Sequence, residues 1–142
     1  MRFWDASAVI PLCVSEPRSA IMRSLAEQDA EIAAWWGTTV ECCSAFARLV
    51  REGVLMAAGE EQARRVMETL AKEWTEIEPA KSVREKAIRL LRVHPLRAAD
   101  SLQLASALVW AGVDPSGHVF VCLDQKLRDA ARKEGFRVLP ES

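Results

Sequence analysis

The sequence predicts an α/β domain in which a short, mostly parallel sheet lies between helices on both faces. Three observations carry that reading. Short apolar runs alternate along the chain with segments whose apolar residues recur at helical spacing. Ile32-Ala33-Ala34-Trp35-Trp36 is continuously apolar rather than alternating, which suits a strand buried on both faces. The 142 residues contain no Pro/Gly/Ser-rich linker, no repeat and no low-complexity tract, so residues 1–142 read as one domain.

The elements follow in order. Arg2 to Asp5 reads as a strand and Ser7 to Val14 as a brief helix, ended near Glu16-Pro17 because the residue before proline disfavours the helical region. Between Pro17 and about Glu27, Ile21, Met22, Leu25 and Ala26 share one helical face. The apolar run Ile32 to Trp36 is the second strand. Thr38 to Glu52 is a helix closed by Gly53, and Glu60 to Trp74 another, with Ala63, Val66, Met67, Leu70 and Trp74 on one side. Ala80 to Arg92 follows, with Val83, Ala87, Leu90 and Leu91 facing inward. Arg97 to Ala111 is apolar nearly all round and belongs in the middle of the core. His118 to Leu123 is a strand, Gln125 to Glu134 a helix and Phe136 to Leu139 a last short strand.

Composition excludes several classes. With 19 basic and 20 acidic side chains the formal charge is -1, so bulk charge does not hold the protein on nucleic acid; such domains have a pI above ~9. The longest charge-free stretch, Ser101 to Val113, is too short for the ~20 residues of a membrane span. Asp5 and Pro11 interrupt the only apolar stretch near the start that a secretory signal would need. The expected location is cytoplasmic. Cys13, Cys42, Cys43 and Cys122 form no Cys-x-x-Cys pair and read as structural thiols, with only His94 and His118 to complete a zinc site.

In an open parallel sheet the strand C-termini and the following helix N-termini gather along one edge, where ligands bind. Four acids fall at such places. Asp5 ends the first strand, Glu41 lies in the first turn after the Trp35-Trp36 strand, Asp100 opens the buried helix, and Asp124 closes Val119 to Leu123. Each has a capping role open to it. Asp5 and Asp124 are placed as N-caps, while Thr38-Thr39-Val40-Glu41 and Asp100-Ser101-Leu102-Gln103 fit capping boxes. Capping needs only a polar oxygen, however, and four gathered carboxylates raise one another's pKa. A hard divalent cation removes that cost, so an acidic pocket without His or Cys points to Mg²⁺, with Mn²⁺ as the alternative, rather than zinc.

Phe3-Trp4-Asp5-Ala6-Ser7-Ala8, Glu41-Cys42-Cys43-Ser44-Ala45-Phe46, Arg97-Ala98-Ala99-Asp100-Ser101-Leu102-Gln103-Leu104-Ala105 and Leu123-Asp124-Gln125-Lys126-Leu127 resemble, in order and spacing, the four acidic motifs of PIN-domain ribonucleases. The nearest subgroup is the VapC-type toxins of toxin–antitoxin pairs, and the resemblance spans essentially the whole chain. It implies a PIN-like three-layer sandwich and Mg²⁺-dependent endoribonuclease activity. It also implies metal ligation and catalysis by Asp5, Glu41, Asp100 and Asp124, with Ser7 as the accompanying hydroxyl. The implied partners are an RNA substrate, a cognate antitoxin and a second copy in a homodimer. The chain departs from many relatives at Cys122, where they carry Thr or Ser two residues before the fourth acid.

RNA approaching an acidic pocket needs basic surface nearby. Lys81, Arg84, Lys86, Arg89, Arg92 and Arg97 precede Asp100 with only Glu85 opposing them; such a run serves equally as a solvated helix face. Arg97, and after it Arg92, are the candidate phosphate contacts. Trp4, Trp35, Trp36 and Trp110 are assigned to the core, whereas Trp74 is placed where it could stack a base. A rival class is a PIN-like binding module with little nuclease activity, engaging a partner through Ile21, Met22, Leu25, Val66 and Met67. Phosphoryl transfer through an aspartyl intermediate is a third, but it wants an Asp where Ser7 stands. No Gly-rich nucleotide-binding motif occurs.

Overall fold

Strand formation begins almost at the first residue. In the computed structural model, which describes residues 1–142, β1 (Arg2–Trp4) leads into α1 (Ala6–Cys13) and α2 (Ser19–Gln28). Next come β2 (Ile32–Trp35), α3 (Thr38–Arg51), α4 (Ala57–Glu73), β3 (Thr75–Ile77) and α5 (Lys81–Val93). The chain ends through α6 (Ala98–Ala111), β4 (Val119–Val121), α7 (Gln125–Glu134) and β5 (Arg137–Leu139). The five strands form one wholly parallel sheet in the order β3-β2-β1-β4-β5. The α/β class and the parallel sheet are thus as the sequence implies.

Period-two alternation along the central strands separates the two halves of the core. Phe3, Ala33, Trp35 and Phe120 face α5, α6 and α7, where they meet Val83, Leu90, Leu104, Leu108 and Leu127. Trp4, Ile32, Ala34 and Val121 face the other way, onto Val9 of α1, Met22 of α2, Phe46 of α3 and Met67 of α4. Phe3 stacks on Phe120 with ring centroids 5.5 Å apart. Each such fully buried large side chain contributes roughly 1.5–3 kcal/mol by leaving water. Helix α6, buried along Ser101 and Gln103 to Leu108, is the central helix its composition predicts.

The topology decides where a ligand can sit. From β1 the chain steps outward through β2 and β3, then returns to add β4 and β5 on the other side of β1. Strand order therefore reverses between β1 and β4, and at such a switch point the connections diverge and leave a crevice beyond the strand C-termini.

Several expectations need correction. Strand β3 was not anticipated; it is a three-residue, partly exposed edge strand with Glu76 at its centre, and only pairing with β2 (Ala33 with Thr75, Trp35 with Ile77) defines it. Helix α4 starts at Ala57, earlier than Glu60. The second strand stops at Trp35, and Trp36 is 50% exposed rather than in the core, because the chain turns at Gly37 into α3. Leu91 is exposed: it sits about 100° round α5 from fully buried Leu90. Met22, Leu25 and Met67 are spent on the protein's own core, which leaves Ile21 exposed and Val66 half-buried for any partner. No helix is long and apolar enough to cross a membrane.

Candidate active site

The backbone of Asp5 extends the ladder of β1, its N–H donating to Val121 O at 3.0 Å, so its carboxylate is delivered at the C-terminal end of the central strand. That carboxylate caps α1 by accepting from Ser7 N–H at 3.1 Å. It also accepts from the Ser7 hydroxyl, and from the Cys122 thiol at 3.4 Å. Ser7 Oγ in turn accepts from Leu123 N–H at 2.9 Å, tying the end of β1 to the end of β4. Across the switch point, Asp124 caps α7 by accepting from Leu127 N–H at 2.9 Å. Buried Arg128 steadies the turn before it, donating to Cys122 O and to Pro140 O, both at 2.7 Å.

The other two acids are not the N-caps of their helices. Gly37, without a side chain, is the N-cap of α3, and the Glu41 carboxylate instead accepts from Gln103 Nε2 at 2.9 Å. The same amide nitrogen donates to Thr38 Oγ1 at 3.0 Å, so buried Gln103 of α6 locks the first turn of α3 in place. Arg97, rather than Asp100, is the N-cap of α6, and no side chain caps that helix. The two capping boxes expected from the sequence are therefore not formed.

All four carboxylates line one open cavity of about 460 Å³, together with Ser7, Ser44 and Arg48. Three of them are shifted upward, chiefly by burial. Asp5 is pushed up to about 6, chiefly by burial; hydrogen bonds from Ser7 and Cys122 oppose the shift and the charge of Asp100 adds to it. Burial likewise pushes Glu41 up to about 7, against the Gln103 hydrogen bond and with help from Asp5 and Asp100. Asp100 is raised by burial and by Asp124, with Arg97 opposing. Such a set holds charge that the protein alone compensates poorly, which is the condition a bound cation relieves.

The donor set is oxygen-only and suits a hard cation. No three acidic, His or Cys side chains converge closely enough to hold an ion unaided. That fits an ion that keeps several waters and takes one or two carboxylates, as Mg²⁺ does. Neither histidine lines the cavity: His94 Nε2 pairs with Glu134 at 2.7 Å, and His118 packs edge-on against Trp110. All four cysteines are free thiols.

No family model matches the chain. Among curated proteins it is similar to Ribonuclease VapC45 of Mycobacterium tuberculosis (strain CDC 1551 / Oshkosh) and to Ribonuclease VapC49 of Mycobacterium tuberculosis (strain ATCC 25618 / H37Rv). Each is 31% identical over 139 residues, covering 97% of this chain and 94% of the relative. The chain belongs to the VapC ribonuclease family. The crystal structure of FitAcB from Neisseria gonorrhoeae shares the fold, with a TM-score of 0.66 and 15% identity over 97% of this chain and 96% of that one.

In this VapC-family chain the structure brings Asp5, Ser7, Glu41, Asp100 and Asp124 together as the motifs implied. Cys122 keeps a hydrogen bond to Asp5 although a thiol stands where many relatives have a hydroxyl. The basic residues are sorted differently. Arg97 is exposed and acts on Asp100 through a backbone hydrogen bond and its charge, but it does not line the cavity, and neither does Arg92. Arg89 is held by Glu134 at 2.9 Å. Trp74 is buried, its indole N–H donating to Glu76 at 3.2 Å, so it offers no face to a base. The cation of the cavity is Arg48, which the sequence reading passed over. A signal was present, since Glu41, Ser44 and Arg48 are three and four residues apart and share one face of α3. Gln103, likewise missed, follows Asp100 by one helical turn.

Proposed function

We propose that the chain is a Mg²⁺-dependent endoribonuclease that hydrolyses RNA phosphodiester bonds, and the toxin of a toxin–antitoxin pair. The observation that supports this most is the meeting of four carboxylates at the β1/β4 switch point, where neither Glu41 nor Asp100 is the N-cap of its helix. Asp5, Asp100 and Asp124 would hold Mg²⁺, or Mn²⁺, one or two of them directly and the rest through its waters, with Glu41 binding directly or through water. When bound, the ion supplies a water of lowered pKa and charge stabilisation at the phosphate. The chain's own residues do the positioning. Ser7 and Cys122 aim the Asp5 carboxylate, Gln103 aims Glu41, and Arg48 at the cavity wall draws in the RNA phosphate. An antitoxin and a second copy are the protein partners of this reading, in the cytoplasm. A groove between α2 and α4, lined by Arg23, Ala26, Glu27, Val66 and Leu70, is open to one of them.

The test is cleavage of a structured RNA by the purified chain. Cleavage is expected with Mg²⁺ and lost in chelator, and Asp100→Asn is expected to abolish it without lowering the melting temperature. Cleavage that survives both treatments overturns the reading.

A further inference from the structure

The sheet edge that carries the carboxylates holds a second cavity, of about 390 Å³, lined by Trp35, Pro79, Lys81, Val83, Arg84 and Leu102. It opens where β2 and β3 end and α5 begins. Asp100 lines the first cavity and Leu102 the second, so the start of α6 borders both. The two are also joined through Gly37. A Cβ there would lie 2.5 Å from Trp35 Nε1, so only glycine lets the indole lie against the turn into α3, the helix that carries Glu41.

The chemistry of this second cavity is opposite to that of the first. No carboxylate lines it, and both of its charged residues are cations. Arg84 has no carboxylate partner, and Lys81 meets only Glu85, at 3.9 Å between two exposed side chains. Such an exposed pair holds little energy and yields readily to a phosphate. Trp36 stands edge-on to Trp35 at 6.3 Å between ring centroids and is half exposed, the one tryptophan of the chain that the core leaves so open. Trp36 does not line the cavity itself but touches Trp35, which does, so an aromatic face for a base adjoins a pocket with cations for a phosphate, the two requirements of single-stranded nucleic-acid binding.

We propose that this cavity and the adjoining Trp36 bind a nucleotide of the RNA strand next to the scissile phosphate, with the base on Trp36 and the phosphate on Lys81 and Arg84. The proposal rests on the ribonuclease reading of the first cavity and names where its substrate is gripped. It explains why a large indole is left in water on the edge that carries the carboxylates. It also gives a chain of net charge -1 a local basic approach.

The experiment uses the full chain carrying Asp100→Asn and a short fluorescein-labelled single-stranded RNA in Mg²⁺, read by anisotropy at several salt concentrations. Trp36→Ala is expected to weaken binding about tenfold and Trp36→Phe to restore most of it, because stacking tolerates any aromatic face. Lys81→Ala with Arg84→Ala is expected to flatten the log–log salt slope by about 0.7, the value for one phosphate on a single strand. In the chain with Asp100 intact, the same substitutions are expected to raise KM for RNA more than they lower kcat. RNA cleavage that persists with unmoved affinity, salt slope and KM overturns the subsite and leaves the nuclease reading standing. A parent chain that neither cleaves nor binds RNA overturns both. A Trp36→Ala chain whose sedimentation changes while its RNA affinity does not assigns the face to a second copy and overturns the subsite.

Discussion

The four acids of the cavity form two unlike pairs. Asp5 and Asp124 each end a strand and also cap the helix that follows, so part of their oxygen valence is used by the fold itself. Glu41 and Asp100 sit inside the first turns of α3 and α6, are not the N-caps of those helices, and face a cavity that raises the pKa of both. For the first pair an asparagine would serve the fold as well as an aspartate. For the second pair the fold gains a favourable first-turn charge and, at Glu41, the Gln103 hydrogen bond, but it bears the cost of desolvating a carboxylate. A charge kept where it destabilises is the stronger mark of function, and the difference between the pairs can be tested in four ways.

The largest effect concerns activity. Glu41→Gln is expected to lower Mg²⁺-dependent RNA cleavage roughly a hundredfold or more, since losing a metal-site carboxylate removes several kcal/mol of transition-state stabilisation. Asp124→Asn should lose activity to a similar degree while keeping its cap. If Asp124→Asn cleaves RNA at full rate, Asp124 is a cap alone and the pairs differ more deeply than drawn here.

Next is the dependence of stability on pH in chelator. Folding raises Asp5 to about 6 and Glu41 to about 7, so the folded state holds protons that the unfolded chain has released. The stability linked to those protons is complete below the ordinary carboxylate range and is lost as pH rises through about 6 and 7. Urea titrations are expected to give a protein several kcal/mol less stable at alkaline than at mildly acid pH. Added Mg²⁺ should remove the loss, and Glu41→Gln should shrink it. A stability that rises over the same interval would refute this account of the crowded site.

A smaller effect separates capping from non-capping acids. Asp124→Ala should cost ~1 kcal/mol in urea unfolding relative to Asp124→Asn, the value of an N-cap. Asp100→Ala should show no such deficit relative to Asp100→Asn. The smallest effect concerns the arginines. Arg48→Ala should flatten the salt dependence of RNA binding by about 0.7, one phosphate contact, and Arg97→Ala by less. The reverse order would make Arg97 rather than Arg48 the phosphate contact of the cavity.

Much of this was readable from the chain. The runs at Arg2–Asp5 and His118–Leu123 read as short strands and Ile32–Trp36 as one buried on both faces, and the acids at or just beyond their ends stand out as polar residues ending apolar runs. Strand β3 was hidden because three residues with Glu76 in the middle carry no periodicity; the neighbouring β2 makes them a strand. Thr38 to Glu41 matches a capping box locally, yet the box loses to Gln103, which lies on another helix and reaches both Thr38 and Glu41. Trp36 continues an apolar run but faces water, since Gly37 turns the chain before a fifth residue can join β2.

By itself the sequence determined the α/β alternation, the hard oxygen character of the donor set and the order of the acids, because these depend on residue chemistry and on local periodicity. Tertiary structure alone decided that β4 pairs beside β1 rather than at an edge, which brings Asp5 and Asp124 to one crevice. It alone joined Gln103 to Glu41, assigned the cavity's cation to Arg48 instead of Arg97, and left Trp36 in water beside a second, basic cavity. The physical reason is the same throughout. Local propensity constrains a residue's own backbone and face, whereas neighbours far apart in sequence are chosen by how the layers pack.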